Sequence, residues 1–183
     1  MAERLETADL AAGCFWCVEA VFSRLRGVEK VVPGYTGGSV PNPTYHEVCS
    51  GTTEHAEAVR ITFDPDTISF AELLEVFWLT HDPTTLNRQG ADAGTQYRSA
   101  IFYQNESQRE IAEKSRREAD EARLWPDPIV TEIVPFTEFY GAEGYHQDYY
   151  RMNPHQTYCR LVIDPKIRKL KEKFADKLKT PPA

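Results

Sequence analysis

The sequence predicts an α+β two-layer sandwich. Strand-like and helix-like segments follow one another in the order strand, helix, strand, strand, helix, strand, helix, strand, helix. Mixed alternation with four or five strands favours this class over a doubly wound parallel sheet. The 183 residues, of which 41% are hydrophobic, suffice for one domain with a substantial core, and no repeat or linker divides them. We therefore expect a single domain over residues 1–183, with short flexible ends.

In the N-terminal part, the first strand ends at Leu10-Ala11-Ala12, and a helix over residues 15–26 follows, which Gly27 can close. A second strand is expected over Val28–Val32, and then a long loop over residues 34–56. The third strand, residues 58–63, alternates between two faces. One face carries Val59, Ile61 and Phe63, and the other carries Ala58, Arg60 and Thr62.

In the C-terminal part, Ser69 and Glu72 form a capping box before a helix with an apolar face. A second long loop, residues 80–98, leads to a strand over Ser99–Tyr103. Asn105 caps a polar helix over 106–123, a strand follows over Ile129–Val134, and Asp164-Pro165 opens the terminal helix.

Charge and composition exclude several classes of function. The net charge of −7 argues against nucleic-acid binding, which needs a basic face. No segment approaches the roughly 18 apolar residues of a membrane span, and the first residues lack the layout of a signal peptide. We therefore expect a cytoplasmic protein, in which the four cysteines serve chemistry rather than a disulfide framework.

The most informative segment is Gly13-Cys14-Phe15-Trp16-Cys17, which lies where the first strand meets the first helix. The helix N-terminus favours a thiolate there, and it can lower a thiol pKa from about 8.5 into the range of roughly 3.5–7.5. Two aromatic side chains beside a reactive thiol are costly to expose unless they line a pocket. Cys14 is therefore the first candidate nucleophile.

The two long loops hold further polar and aromatic residues, as functional loops on a rigid scaffold do. The first loop and the strand after it contribute Tyr45, His46, Cys49, His55 and Glu57, and the second contributes His81, Asp82, Asp92 and Tyr97. Three interpretations fit this set.

The first interpretation is a structural zinc site that combines Cys14 and Cys17 with Cys49, His46 or His55. Only Cys14 and Cys17 have the paired spacing of zinc ligands. The second is a thioredoxin-like redox protein built on the Cys-x-x-Cys pair, although the strand and helix that usually precede that motif are missing. The third is a thiol enzyme in which Glu57, partly buried, stays protonated as an acid while Tyr45 and Tyr97 donate hydrogen bonds to a substrate oxygen.

Taken together, the motifs resemble those of the peptide methionine sulfoxide reductases of type A. The resemblance covers about residues 8–165. It rests on Gly13–Trp16, Pro43–Thr53, His55–Val59, Asp82–Gly90, Asp92, Gly94–Ser99, Tyr145–Tyr150 and Asn153–Cys159. Glu54 stands where the family usually has Gly, and Gly141 and Gly144 also depart from its pattern, but none of these is a catalytic position.

The resemblance implies a ferredoxin-like sandwich forming a single catalytic domain, and it implies roles for individual residues. Cys14 attacks the sulfoxide sulfur, Glu57 protonates the sulfoxide oxygen, and Tyr45 and Tyr97 hydrogen-bond that oxygen. Asp92 orients the polar network, and Phe15 and Trp16 form an apolar pocket for the methyl group. Only the S epimer at sulfur then fits productively.

The implied product on the enzyme is a Cys14 sulfenic acid, which a second thiol captures as a disulfide. Cys159 resembles the recycling cysteine of the family, and Cys17 is its rival, three residues after Cys14. We expect thioredoxin as the reductant, and oxidised proteins or free methionine sulfoxide as substrates. We expect no cofactor or metal, no nucleic-acid or membrane partner, and a monomer.

Overall fold

The computed structural model describes residues 4–179, which form a six-stranded sheet, a two-stranded ribbon and six α-helices. The expectation of flexible ends falls in part on residues 1–3 and 180–183, which lie outside the described residues. The strands are β1 (Glu6–Ala12), β2 (Val28–Thr36), β3 (Ala56–Phe63), β4 (Arg88–Gln89), β5 (Asp92–Ala93), β6 (Ser99–Tyr103), β7 (Glu132–Pro135) and β8 (Phe139–Gly141). The helices are α1 (Phe15–Phe22), α2 (Tyr45–Cys49), α3 (Phe70–Thr80), α4 (Glu106–Glu121), α5 (Tyr149–Met152) and α6 (Asp164–Lys173).

The large sheet has the strand order β7-β6-β1-β3-β2-β8. Neighbouring strands are antiparallel except for β6 and β7, which are parallel. The α+β class is confirmed, and the finer ferredoxin-like assignment stays a prediction. The sheet has six strands rather than four or five, because the three-residue strand β8 pairs with the end of β2.

The two faces of the sheet differ in the size of their side chains. The face under the helices carries large apolar groups that belong to the main core, including Leu10, Val59, Ile61, Phe63 and Ile101. The opposite face carries mostly alanines with Phe102, and Phe136 and the β8 residue Phe139 pack against it. The alternation predicted for residues 58–63 is thus confirmed. The face with the large apolar side chains packs against α1, the helix that begins beside Cys14.

Helix caps follow the local sequence closely. The Ser69 hydroxyl accepts a hydrogen bond from the backbone N–H of Glu72, and the Glu72 carboxylate accepts one from the backbone N–H of Ser69. The side chain of Asn105 caps α4 by accepting a hydrogen bond from the backbone N–H of Gln108. Both caps were predicted, because a cap depends only on residues three positions apart.

Several boundaries differ from the prediction. Helix α1 ends at Phe22 rather than near residue 26, because the backbone N–H groups of Arg24 and Leu25 donate to carbonyls only three residues back. The backbone N–H of Arg26 then donates to Lys177 O (2.7 Å). Strand β2 runs on to Thr36, and the loop that follows contains the short helix α2. Strand β7 begins at Glu132 rather than Ile129. Across residues 4–179, no helix is long and apolar enough to cross a membrane.

Candidate active site

Cys14 occupies the junction predicted for it. Strand β1 ends at Ala12, Gly13 turns the chain with φ +87°, and Cys14 is the N-terminal cap residue of α1. Its side chain makes no capping hydrogen bond, and the residue is 7% exposed. The thiol is therefore held at a helix N-terminus but almost entirely out of water.

Burial overturns one expectation about this thiol. The helix N-terminus was expected to lower the pKa of Cys14, but burial raises it well above the ordinary thiol value, and a hydrogen bond with Cys17 raises it further. The same hydrogen bond from Cys14 lowers the pKa of Cys17 to about 7, with help from the Lys166 ammonium and despite burial. The pair thus gives up one of its two protons near neutral pH, and the remaining thiol resists losing the second.

Glu57 lies on β3 and is 1% exposed. Its Oε1 accepts a hydrogen bond from the backbone N–H of Phe15 (3.1 Å), which ties the carboxyl group to the first residue of α1, next to Cys14. Burial raises the pKa of Glu57 to about 8, the Phe15 hydrogen bond opposes this, and the charge of Asp92 adds to it. Glu57 is consequently a protonated acid at neutral pH.

Tyr45 and Tyr97 are both half-buried near this carboxyl group. Tyr45 begins α2, and its ring packs against Phe15 (6.4 Å between centroids) and His146 (4.4 Å). Burial raises the pKa of both phenols, and the charge of Glu57 raises each further. Both hydroxyl groups therefore stay neutral and can donate hydrogen bonds. Cys49 is half-buried, and its proximity to Tyr45 contributes to the raised pKa of that phenol.

Asp92 belongs to the ribbon of β4 and β5, and it connects to the thiols through Tyr158. The Tyr158 hydroxyl donates to Asp92 Oδ2 (2.8 Å) and lies 3.5 Å from the Cys17 sulfur. Tyr158 was not predicted as a site residue. The only signal for it in the sequence was its place beside Cys159 in the last of the matching motifs.

Trp16 is fixed by two residues that sequence reasoning also missed as site residues. Its indole N–H donates to His146 Nδ1 (3.0 Å), and its ring stacks on Tyr149 with centroids 3.7 Å apart and planes 7° apart. His146 is buried, and its Nε2 has no hydrogen-bond partner among residues 4–179. Phe15 is fully buried, so of the two aromatic residues after Cys14 only Trp16 presents surface to solvent.

A cavity of about 240 Å³ opens beside the thiols. Its wall includes Cys14, Cys17, Asp92, Tyr158 and Lys166, together with the ribbon residues Gln89–Ala91 and Val162. Cys159 is fully buried and is not part of this wall. Within residues 4–179, no group of three or more His, Cys, Asp or Glu side chains is placed to hold a metal ion.

Comparison with known proteins agrees with this geometry. The model of the family described as peptide methionine sulfoxide reductase matches residues 6–178. The chain is 58% identical to peptide methionine sulfoxide reductase MsrA 1 of Rhodopirellula baltica, over 95% of this chain and 90% of the relative. It is 57% identical to the MsrA of Saccharolobus solfataricus, over 96% and 98% of the two chains.

Among solved structures, the reduced form of Mxr1 from Saccharomyces cerevisiae superposes with a TM-score of 0.78 at 35% identity, covering 85% of this chain and 90% of that one. Methionine sulfoxide reductase A of Corynebacterium diphtheriae gives 0.74 at 40% identity, covering 83% and 76%. These matches favour the reductase interpretation over a thioredoxin-like protein or a zinc domain. The chain belongs to the peptide methionine sulfoxide reductase family.

Proposed function

We propose that this protein reduces methionine-(S)-sulfoxide, in proteins and as the free amino acid, back to methionine. One observation supports this chemistry more than any other. A buried carboxyl group with a pKa raised to about 8, that of Glu57, is hydrogen-bonded to the residue that follows the Cys14 thiol. Reduction of a sulfoxide needs a soft nucleophile and a proton for the departing oxygen, and these two groups supply both.

In the proposed step, the Cys14 sulfur attacks the sulfoxide sulfur and Glu57 protonates the oxygen. Tyr45 and Tyr97 stabilise that oxygen by hydrogen bonds, which their raised pKa values allow. The oxygen ends on Cys14, so the thiol becomes a sulfenic acid while the sulfoxide becomes a thioether. Asp92 has a positioning role, because it accepts the Tyr158 hydroxyl hydrogen bond beside the thiols.

Recognition of the methyl group is assigned to the aromatic pair Phe15 and Trp16. Trp16 is held by His146 and Tyr149, and Phe15 supports Tyr45 from within the core. An apolar surface on one side and hydrogen-bond donors on the other distinguish the methyl group from the oxygen. This arrangement supports a preference for the S epimer.

Turnover requires a second thiol and an external reductant. The resemblance nominates Cys159 as the resolving cysteine, with Cys17 as its rival. We propose thioredoxin as the reductant. Mxr1 of Saccharomyces cerevisiae, a member of the same family, has a structure in complex with Trx2. Repair of oxidised proteins in the cytoplasm is part of this proposal, since thiols remain reduced there and all four cysteines are free.

The test is a mass-spectrometric assay of methionine formed from a mixture of the two sulfoxide epimers with a thiol reductant present. We expect the S epimer to be consumed and the R epimer to remain. If neither epimer is consumed, the proposed reductase activity is contradicted. If both epimers are consumed equally, the role in epimer selection given to Trp16 and the two tyrosines is contradicted.

A further inference from the structure

Resting on the proposed function, we propose that Cys17, rather than Cys159, captures the oxidised Cys14. The Cys17 sulfur attacks the sulfenic sulfur of Cys14, and a Cys14–Cys17 disulfide results. The observations that support this are the placement of the two thiols in one helical turn, their shared cavity, and the position of Cys159 outside the wall of that cavity.

The two thiols are neighbours in the first turn of α1. Cys14 caps the helix, the backbone N–H of Cys17 donates to Cys14 O (3.1 Å), and both side chains line the same cavity. Residues three apart on a helical turn have Cβ atoms about 5–6 Å apart, and a disulfide joins Cβ atoms about 3.5–4.5 Å apart. A disulfide between Cys14 and Cys17 therefore needs rotation of the two side chains and a shift of about 1–2 Å within the first turn of α1.

The surroundings of Cys17 suit an attacking thiolate. The Tyr158 hydroxyl lies 3.5 Å from its sulfur, and Lys166 lines the same cavity. The Lys166 charge and the contacts with Cys14 and Tyr158 lower the pKa of Cys17 to about 7, despite burial. A thiol with a pKa near the ambient pH combines a usable thiolate fraction with high nucleophilicity.

Cys159 lacks these advantages. Cys17 and Cys159 are both buried in the main core, but Cys159 does not line the cavity, and it begins a π-helical segment, Cys159–Ile163, that runs directly into α6. Burial raises the pKa of Cys159, and the nearby charge of Cys17 raises it further. To reach Cys14, Cys159 would have to leave this packed segment, whereas Cys17 stays within its own helical turn.

The chemical step balances without a further reagent. The S–O bond of the Cys14 sulfenic acid breaks as the S–S bond forms, so the Cys14 sulfur is reduced and the Cys17 sulfur is oxidised. The hydroxide leaves with one proton as water. The resulting disulfide borders the cavity of about 240 Å³, where the dithiol reductant of the proposed function can attack it.

The test treats the wild-type protein and three variants, Cys17→Ser, Cys17→Ala and Cys159→Ser, with one equivalent of methionine sulfoxide, and then maps disulfides by digestion and mass spectrometry. We expect a Cys14–Cys17 link in the wild type and in Cys159→Ser, with loss of two of the four free thiols in the wild type. Both Cys17 variants should still form methionine, and should keep a sulfenic acid at Cys14 that dimedone labels.

A Cys14–Cys159 link in the wild type, or an undiminished disulfide yield in the Cys17 variants, would overturn the assignment of Cys17. The wild type and Cys159→Ser decide the question even if the Cys17 variants fail to fold. A parallel oxidation with hydrogen peroxide, which forms the sulfenic acid directly, separates the two proposals. Failure to form methionine contradicts the reductase activity, while the disulfide formed with peroxide still decides for or against Cys17.

Discussion

Glu57 shows how the site depends on a single proton. Its carboxyl group is buried on β3 and its pKa is raised to about 8, mainly by burial. The acid form is therefore present at pH values below about 8 and is lost as the pH rises through that value. While it is protonated, the carboxyl group carries no charge and so does not disfavour a thiolate at the neighbouring Cys14.

Replacing Glu57 with Gln should slow the single-turnover reduction of sulfoxide by about 10²–10⁴-fold, the usual contribution of general acid catalysis. Gln keeps the acceptor for the Phe15 N–H but cannot supply the proton. In the wild type, the single-turnover rate should fall as the pH rises through about 8, and this fall should disappear in the variant.

Glu19→Gln is the matched control, because Glu19 is also a buried carboxyl group with a pKa raised to about 7, but it hydrogen-bonds the backbone N–H of Asp148. Its pH profile should keep the fall near pH 8. An unchanged rate in Glu57→Gln would show that Glu57 is only structural.

Tyr45 and Tyr97 should act on one oxygen. Tyr45→Phe and Tyr97→Phe should each lower the single-turnover rate. The loss should not exceed about 10²–10³-fold, the usual cost of removing one oxyanion donor. Each should cost less alone than the two together, since one donor remains in each single variant. Tyr140→Phe, on β8 against His55, is the control and should leave the rate unchanged. Single variants as active as the wild type, with an equally active double variant, would contradict the role.

Sequence reasoning found the residues with distinctive chemistry and missed their supports. Cys14 and Glu57 stand out locally, as a thiol before a helix and a carboxyl group in an apolar strand. His146 and Tyr158 hold Trp16 and Asp92 from positions 130 and 66 residues away in the chain. No local pattern encodes contacts at that separation. The lowered pKa expected for Cys14 was wrong for a related reason, because its burial comes from the tertiary packing.

The junction between β1 and α1 depends on its contact with the ribbon of β4 and β5. Gly13 adopts φ +87°, and a Cβ there would lie 2.6 Å from Cγ of Gln89. The Gln89 amide is itself fixed by two hydrogen bonds of 2.9 Å to the backbone of Asp82. Gln89 also pairs with Asp92 across the ribbon, so a displacement of Gln89 would also displace the site residue Asp92.

Gly13→Ala should therefore lower both the stability and the activity. The left-handed backbone alone costs an L residue about 1–2 kcal/mol, and the clash with Gln89 adds to that. Gly51→Ala separates the two effects, because Gly51 has φ +79° and, among residues 4–179, no atom lies within 4 Å of where its Cβ would be. Denaturant unfolding should show a larger loss for Gly13→Ala, and only that variant should lose turnover. Equal losses in the two variants would contradict the proposed contact.

At the level of elements, the sequence predicted the beginnings of α3 and α4 better than the end of α1. The caps of α3 and α4 are local and were predicted correctly. The end of α1 was not, because the helix stops at Phe22 and the backbone N–H of Arg26 donates instead to Lys177, 151 residues later in the chain. Strand β8 is only three residues long and forms by pairing with β2, so it carries no periodic signal of its own.

For the whole molecule, the α+β class followed from the order of the elements and from the alternation in residues 58–63. The site, in contrast, joins segments from every part of the chain: the β1–α1 junction, β3, the ribbon, and the C-terminal segment that carries Tyr158. Only the matching motifs together indicated that these segments meet. The family match over residues 6–178 agrees with an active site that uses almost the full described chain.

The measurement that tests the central claim most directly is the amount of methionine formed per enzyme without any reductant. The wild type, mixed with excess methionine-(S)-sulfoxide, should form about one methionine per active site and then stop, because a single Cys14 thiol accepts the oxygen. Cys14→Ser should form none while keeping the circular dichroism spectrum of the wild type, since the substitution removes a nucleophile rather than core volume. Methionine formed by Cys14→Ser in the amount seen for the wild type would contradict the account.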